Sequence, residues 1–163
     1  MIAPIVVMGV SGCGKSTIGA MLAARVRVPF ADADDLHPAS NIEKMAAGIP
    51  LDDADRLPWL DLVGTWLAEH SAGGVMSCSA LRRAYRDQIR SRCPAAVFVH
   101  LTGSRELITA RQAARTGHFM PTSLLDSQFA TLEPLQSDES GFTVDIEPGE
   151  ETIVDEIVAG LSR

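Results

Sequence analysis

Apolar and polar positions along the chain follow two alternating periods. Residues 4–10, PIVVMGV, form a continuous apolar run rich in β-branched side chains, the pattern of a strand buried on both faces of a parallel sheet. From Lys15 the period changes. Ile18, Met21, Leu22 and Val26 recur at helical spacing with small residues between them, which predicts a helix that ends before Pro29. VPFADAD, residues 28–34, reads as a second short strand with an acidic end. Pro38, Pro50 and Pro58 punctuate the next segment into short helices, and the stripe Leu60, Val63, Leu67 predicts a longer helix from Pro58 to near Gly73–Gly74. VMSCS is then a short strand, ALRRAYRDQIRSR a basic helix with a mostly solvated face, and AVFVHL another buried strand. Ser104 is placed to cap a helix through Arg115. TGHFMPTSLL interrupts that helix, a further one carries Gln128, FTVDI is a last strand and Thr152–Leu161 a closing helix. Strands alternate with helices without repeats or a linker, which predicts one three-layer α/β domain over residues 1–163 with a mainly parallel sheet.

Composition narrows the function classes. A chain of 163 residues with a formal net charge of −7 lacks the clustered basic surface that nucleic acid or an anionic membrane requires. No apolar run approaches a membrane span, and the apolar start has no basic lead-in. Cys13, Cys78 and Cys93 are odd in number and show no metal-ligand spacing. Reduced thiols in a cytoplasmic protein are the expectation.

One stretch carries chemistry by itself. GVSGCGKST, residues 9–17, matches G-x-x-x-x-G-K-[ST] at every fixed position, with an apolar strand before it and a helix after. Gly9, Gly12 and Gly14 permit the tight turn. Successive backbone N–H groups then form a nest for phosphate oxygens, strengthened by the positive end of the helix that follows. Lys15 is expected to reach the β/γ phosphates of a nucleotide and the Ser16 hydroxyl to ligate Mg²⁺. Cys13 holds a free position of the loop and reads as a small filler.

Phosphoryl transfer also asks for a group that orients or deprotonates the acceptor, and for cations that take up charge. DADD, residues 32–35, follows the second strand, where a parallel sheet opens its ligand crevice. Asp32 and Asp34 alternate, so that one faces the metal and the other the acceptor; a solvated acidic turn, or Asp35 as a helix cap, is an equal reading of the spacing. Arg111 and Arg115 lie one helical turn apart before TGHFMP, either as a pair that closes on ATP or as an exposed basic face. NIEK, residues 41–44, is not the guanine reader of GTPases, and neither VMSCS nor AVFVHL ends in the Asp of many P-loop ATPases. A small-molecule kinase with its acid beside the second strand fits better.

The segments GVSGCGKST, ADADDLHPASNIEKMAAGIPLDDADRLPWL, SCSALRRAYRDQIR and GHFMPTSLLDSQFATLEPL, in this order, resemble the P-loop gluconate kinases, from residue 5 to near residue 146. Leu36-His37-Pro38 and Asp55-Arg56-x-Pro58-Trp59-Leu60 are far more specific than the P-loop. The resemblance implies transfer of the ATP γ-phosphate to the 6-hydroxyl of D-gluconate, and the fold of nucleoside monophosphate and shikimate kinases. That fold has a five-stranded sheet in the order 2-3-1-4-5, a helical substrate segment at about 35–72 and a lid at about 112–123. It implies a homodimer. Position by position, Gly9, Val10, Ser11, Gly12, Cys13, Gly14, Lys15, Ser16 and Thr17 would hold ATP with Arg111 and Pro148. Ser16 and Asp32 would hold Mg²⁺, and Lys15, Asp34, Arg111 and Arg115 would serve catalysis. Asp34, His37, Arg56, Ser79, Arg82 and His118 would bind the acceptor, His37 and Arg56 at its carboxylate. A capping histidine and a surface ion pair of Arg56 with Asp52, Asp53 or Asp55 are the alternatives for that last pair. The chain departs from the family pattern at Ala33, where Gly is expected, and at Arg82, where Lys is usual. A kinase of another hydroxy acid such as shikimate, or a nucleotide-binding regulator without transfer activity, are the rival readings.

Overall fold

Strand β1, Ile5–Met8, is fully buried, as its unbroken apolar run requires. The computed structural model of the chain describes residues 2–114 and 122–162. Helix α1 (Lys15–Val26), strand β2 (Phe30–Asp32), a 3₁₀ turn (Ala33–Leu36), helices α2 (Ala39–Ala46) and α3 (Asp53–Glu69), and strand β3 (Val75–Ser77) follow in order. Helix α4 (Arg83–Arg92), strand β4 (Val97–Thr102), helices α5 (Arg105–Ala114) and α6 (Thr122–Thr131), strand β5 (Gly141–Asp145) and helix α7 (Glu150–Leu161) complete the described chain. The five strands form one sheet in the order β2-β3-β1-β4-β5, every pair parallel. This is the order implied by the resemblance.

Alternation of side chains along the strands divides the core into two layers. Val7, Val99 and Leu101 pack with Ile18 and Leu22 of α1 and with Val154 and Ile157 of α7. Val6, Met8, Met76 and Phe98 face the other way, onto Trp59, Leu60, Val63 and Leu67 of α3 and Ile89 of α4. β1 lies between β3 and β4; the chain leaves β1 toward β2 on one side of it and leaves β3 toward β4 on the other. A crevice opens at the carboxyl end of β1, which is where such sheets bind ligands.

Two expectations change. Helix α3 starts at Asp53, ahead of Pro58, and ends at Glu69, short of Gly73. A capping box starts it: Asp52 Oδ1 accepts the Asp55 N–H at 2.8 Å and Asp55 Oδ2 accepts the Asp52 N–H at 3.0 Å. At the other end the His70 ring stacks on Trp66 and its Nδ1 lies 2.6 Å from the Trp66 carbonyl, closing the last turn. The basic helix α4 is not a mostly solvated face. Arg86 is fully buried and pairs with Glu139 through Nε–Oε1 at 2.7 Å and Nη2–Oε2 at 3.0 Å, while its Nη1 donates to the Ala80 carbonyl at 2.9 Å. Arg90 donates to the same carboxylate at 2.8 Å, and Arg83 pairs with Asp138. The partners come from the segment before β5, so burying these arginines leaves few charges unpaired.

Candidate active site

The turn between β1 and α1 is shaped by its glycines. Gly12 and Gly14 sit at φ 87° and 90°, in the left-handed region that other residues avoid. α1 begins without a side-chain cap and without an acidic residue in its first turn. Its unpaired N–H groups and positive dipole end are thereby left for an anion. In front of them lies a cavity of about 640 Å³, lined by residues 11–18, Asp32, Asp34, Arg111, Pro148–Glu150 and Ile153. Ser16 Oγ donates to Asp32 Oδ2 at 2.8 Å and lies 3.4 Å from Ser77 Oγ. A hydroxyl and a carboxylate are hard oxygen donors that suit Mg²⁺, an ion that keeps water and phosphate oxygens as its other ligands. Among the described residues no cluster of three or more His, Cys, Asp or Glu side chains offers a cage for another metal.

The residues expected to hold nucleotide divide between the wall of this cavity and its support. Ser11, Gly12, Cys13, Gly14, Lys15, Ser16, Thr17, Arg111 and Pro148 line it. Gly9 and Val10 do not line it. The Gly9 N–H donates to the Ser79 carbonyl at 3.3 Å, and the Val10 side chain is buried in the core. The Cys13 thiol is buried too, and burial pushes its pKa up. That of Cys78 is pushed up to about 12 by the same cause. Neither thiol is a nucleophile at neutral pH. Arg115 and His118 lie outside the described residues.

On the acceptor side, Asp32 closes the 3₁₀ turn with its side chain, Oδ1 accepting the Asp34 N–H at 2.9 Å, so Asp35 is not the cap. Asp34 is presented to the cavity. Desolvation by the surrounding protein raises its pKa, the Asp32 carboxylate adds to this, and Lys15 opposes it. His37, Arg56, Ser79 and Arg82 do not line this cavity. His37 feels the charges of Asp34 and Arg56, and Tyr85 those of Arg56 and Arg82. His37 occupies the C-cap position of the 3₁₀ turn and is stacked on Trp59, ring centroids 4.2 Å apart and 13° from parallel. Arg56 lies 3.8 Å from Asp53, a long ion pair, and its guanidinium lies 5.4 Å over the Tyr85 ring.

Other residues hold the site that composition and spacing had not singled out. Gln128 of α6 accepts the Ser11 N–H through Oε1 at 2.6 Å, tying the apex of the glycine loop to a helix far along the chain. Gln112 of α5 lies across Gly12, its Oε1 only 2.6 Å from where a Cβ at residue 12 would stand. Glutamines in amphipathic helices carry no local mark of such roles. Gly12→Ala must therefore both enter a left-handed conformation and displace Gln112. A conformational cost of about 1–2 kcal/mol predicts roughly tenfold weaker ATP binding by calorimetry. Unchanged affinity would show that the loop tolerates another backbone there.

A family model described as shikimate kinase matches residues 11–161. A gluconokinase of Gluconobacter oxydans is 46% identical over 157 residues, covering 94% of this chain and 88% of that protein. The thermosensitive gluconokinase of Escherichia coli is 49% identical over 137 residues, 82% of this chain and 73% of that one. The crystal structure of a gluconokinase from Sinorhizobium meliloti superposes with a TM-score of 0.90 at 48% identity, covering 99% of this chain and 92% of the other. A shikimate kinase from Aquifex aeolicus, at 19% identity and a TM-score of 0.62, shares the fold.

Proposed function

We propose that this chain, which belongs to the shikimate kinase family and within it to the gluconokinases, transfers the γ-phosphoryl group of ATP to the 6-hydroxyl of gluconate, giving 6-phosphogluconate and ADP. The observation that carries the reading is one cavity that joins the glycine loop and Lys15 to Asp34. Phosphate donors and an acceptor-side carboxylate thus face the same space.

In this reading the loop N–H groups and Lys15 hold the phosphates, and Arg111 supplies positive charge beside them. Pro148 and Gly149 lie at the nucleoside end of the cavity. Ser16 and Asp32 are the residues that would hold Mg²⁺, which when bound neutralises charge on the phosphates. Asp34 accepts the proton of the attacking hydroxyl, or holds that hydroxyl in line, and the new O–P bond forms as the bond to the β-phosphate oxygen breaks. His37 and Arg56, with Ser79 and Arg82 nearby, bind the polyol and its carboxylate, Arg56 offering the planar fork that matches a carboxylate. Arg115 and His118 would complete the site from the segment about 112–123. The whole of residues 1–163 acts as one kinase domain, with the acceptor segment at about 35–72. The same reading makes the protein a cytoplasmic homodimer that engages neither nucleic acid nor membrane. Among the described residues no helix is long and apolar enough to cross a membrane.

The test is ADP release with Mg·ATP and a panel of gluconate, glucose, shikimate, glycerate and a nucleoside monophosphate. Turnover confined to gluconate is the expected result. Turnover on another acid would move the acceptor assignment, and ATP binding without turnover on any of them would make the chain a regulator.

A further inference from the structure

The acceptor segment contains a buried amide whose position decides how His37 can act. Asn41 of α2 is 2% exposed. Its Nδ2 lies 3.0 Å from the Asp55 carbonyl oxygen and 3.2 Å from His37 Nδ1. A backbone carbonyl only accepts, so the Asn41 atom facing it must be the NH₂ group. That group donates to Asp55 with one hydrogen and turns the other toward His37. Nδ1 of His37 is therefore an acceptor, and the proton of a neutral ring sits on Nε2.

The rest of the surroundings hold this arrangement in place. The imidazole lies flat on Trp59, and the Trp59 indole Nε1 donates to the Ala33 carbonyl at 2.7 Å, between the two aspartates of the cavity. The Asp55 that anchors Asn41 is itself fixed. Its carboxylate takes both Lys44 Nζ at 2.8 Å and the Asp52 N–H at 3.0 Å. The charged groups that act on the ring are Asp34 from the 3₁₀ turn and Arg56 from α3. Burial lowers the His37 pKa, Asp34 opposes this and Arg56 adds to it. Protonating Nδ1 would set its N–H against the Asn41 N–H, so the local hydrogen bonding also resists an imidazolium.

We propose that Asn41 is a positioning residue that fixes His37 as the neutral Nε2–H tautomer, so that the ring offers one uncharged donor to an oxygen of the polyhydroxy-acid acceptor. Arg56 is then the only full positive charge of the pair. This rests on the acceptor reading above for its substrate, but not for its tautomer.

The first experiment needs no substrate. A long-range ¹H–¹⁵N correlation spectrum of the ¹⁵N-labelled protein, with His37 assigned by its loss in His37→Gln, reads the protonation of each ring nitrogen. At pH 7 the expected pattern is a bare Nδ1 and a protonated Nε2, with a titration midpoint below the ordinary 6.5 of a histidine. An Nδ1–H ring or an imidazolium at pH 7 overturns the proposal. Asn41→Leu should mix the tautomers and raise the KM for gluconate by roughly 2- to 10-fold, the worth of one hydrogen bond, with the KM for ATP unchanged. Asn41→Asp should move the proton to Nδ1 and raise the midpoint. A wild-type spectrum retained in the variants overturns the role of Asn41. Should either variant fail to fold, the wild-type spectrum still decides the tautomer. Should gluconate prove not to be the acceptor while the spectrum shows Nε2–H, the function falls and the tautomer stands.

Discussion

Asp34→Asn is expected to lower kcat by about 10²- to 10⁴-fold, the usual contribution of a positioned acid or base, and to leave ATP binding nearly intact. Asparagine keeps the size and one acceptor oxygen of aspartate but cannot take a proton. The substitution therefore separates proton transfer from geometry. Asp34 faces the cavity, and its backbone N–H is held by Asp32, so the variant backbone has the same anchor. Asp32 has a different neighbourhood, with its Oδ2 on the Ser16 hydroxyl at 2.8 Å. Asp32→Asn should accordingly weaken Mg·ATP binding as well as turnover. Steady-state kinetics with ADP release, paired with calorimetric titration of ATP, measure both effects. A kcat within tenfold of wild type in Asp34→Asn would remove Asp34 from proton transfer and leave it a role in orienting the hydroxyl at most.

What was legible in the sequence is what is local. The glycine loop needs its strand, its left-handed glycines and its helix within a dozen residues, so spacing alone defined it, and the alternating apolar segments gave the sheet its layers. Cys13 shows the same economy: a free position of the loop is filled by a buried side chain. The strand order came from the resemblance, since pairing between strands far apart in the chain leaves no periodic trace. Side-chain partners across such distances were equally hidden. Gln128 reaches Ser11 over 117 positions, and Arg86 meets Glu139 over 53. Pro58 resembles a boundary in the sequence, yet the capping box of Asp52 and Asp55 lies ahead of it. Reciprocal hydrogen bonds at the N-terminus start α3 ahead of the proline. Asn41 carries no mark of its own within NIEK, because its meaning lies in a carbonyl of another helix.

Glu139→Gln is expected to destabilise the fold by roughly 3–5 kcal/mol, the cost of leaving a buried charge without its partner. Both Arg86 and Glu139 side chains are fully buried, and Arg90 shares the carboxylate. Burial by itself would raise the Glu139 pKa. Hydrogen bonds from Arg86, from the Gln136 N–H at 2.8 Å and from Arg90 outweigh it and hold the group at about 2, below the ordinary 4.5. A depressed carboxyl stabilises the fold above its unfolded value and loses that contribution as pH falls from about 4.5 toward 2. His100 adds to acid lability from higher pH. Its Nδ1 is buried without a partner among the described residues, and burial, with Arg86 nearby, lowers its pKa from 6.5 to about 4. The unfolded chain thus binds a proton there that the fold refuses, and stability falls as pH drops from 6.5 to about 4. Urea unfolding at pH 7, 6 and 5 should therefore show a decline before the Glu139 contribution begins to fall near 4.5, and His100→Asn should flatten that first part. The double variant Arg86→Met/Glu139→Leu separates pairing from packing. It removes both buried charges and leaves Arg90 its second partner, Asp87, at 2.7 Å. It should recover most of the stability lost in Glu139→Gln. A cost below about 1 kcal/mol for Glu139→Gln, the range of exposed pairs, would mean that water reaches this carboxylate and that the clamp between α4 and the segment before β5 contributes little to the fold.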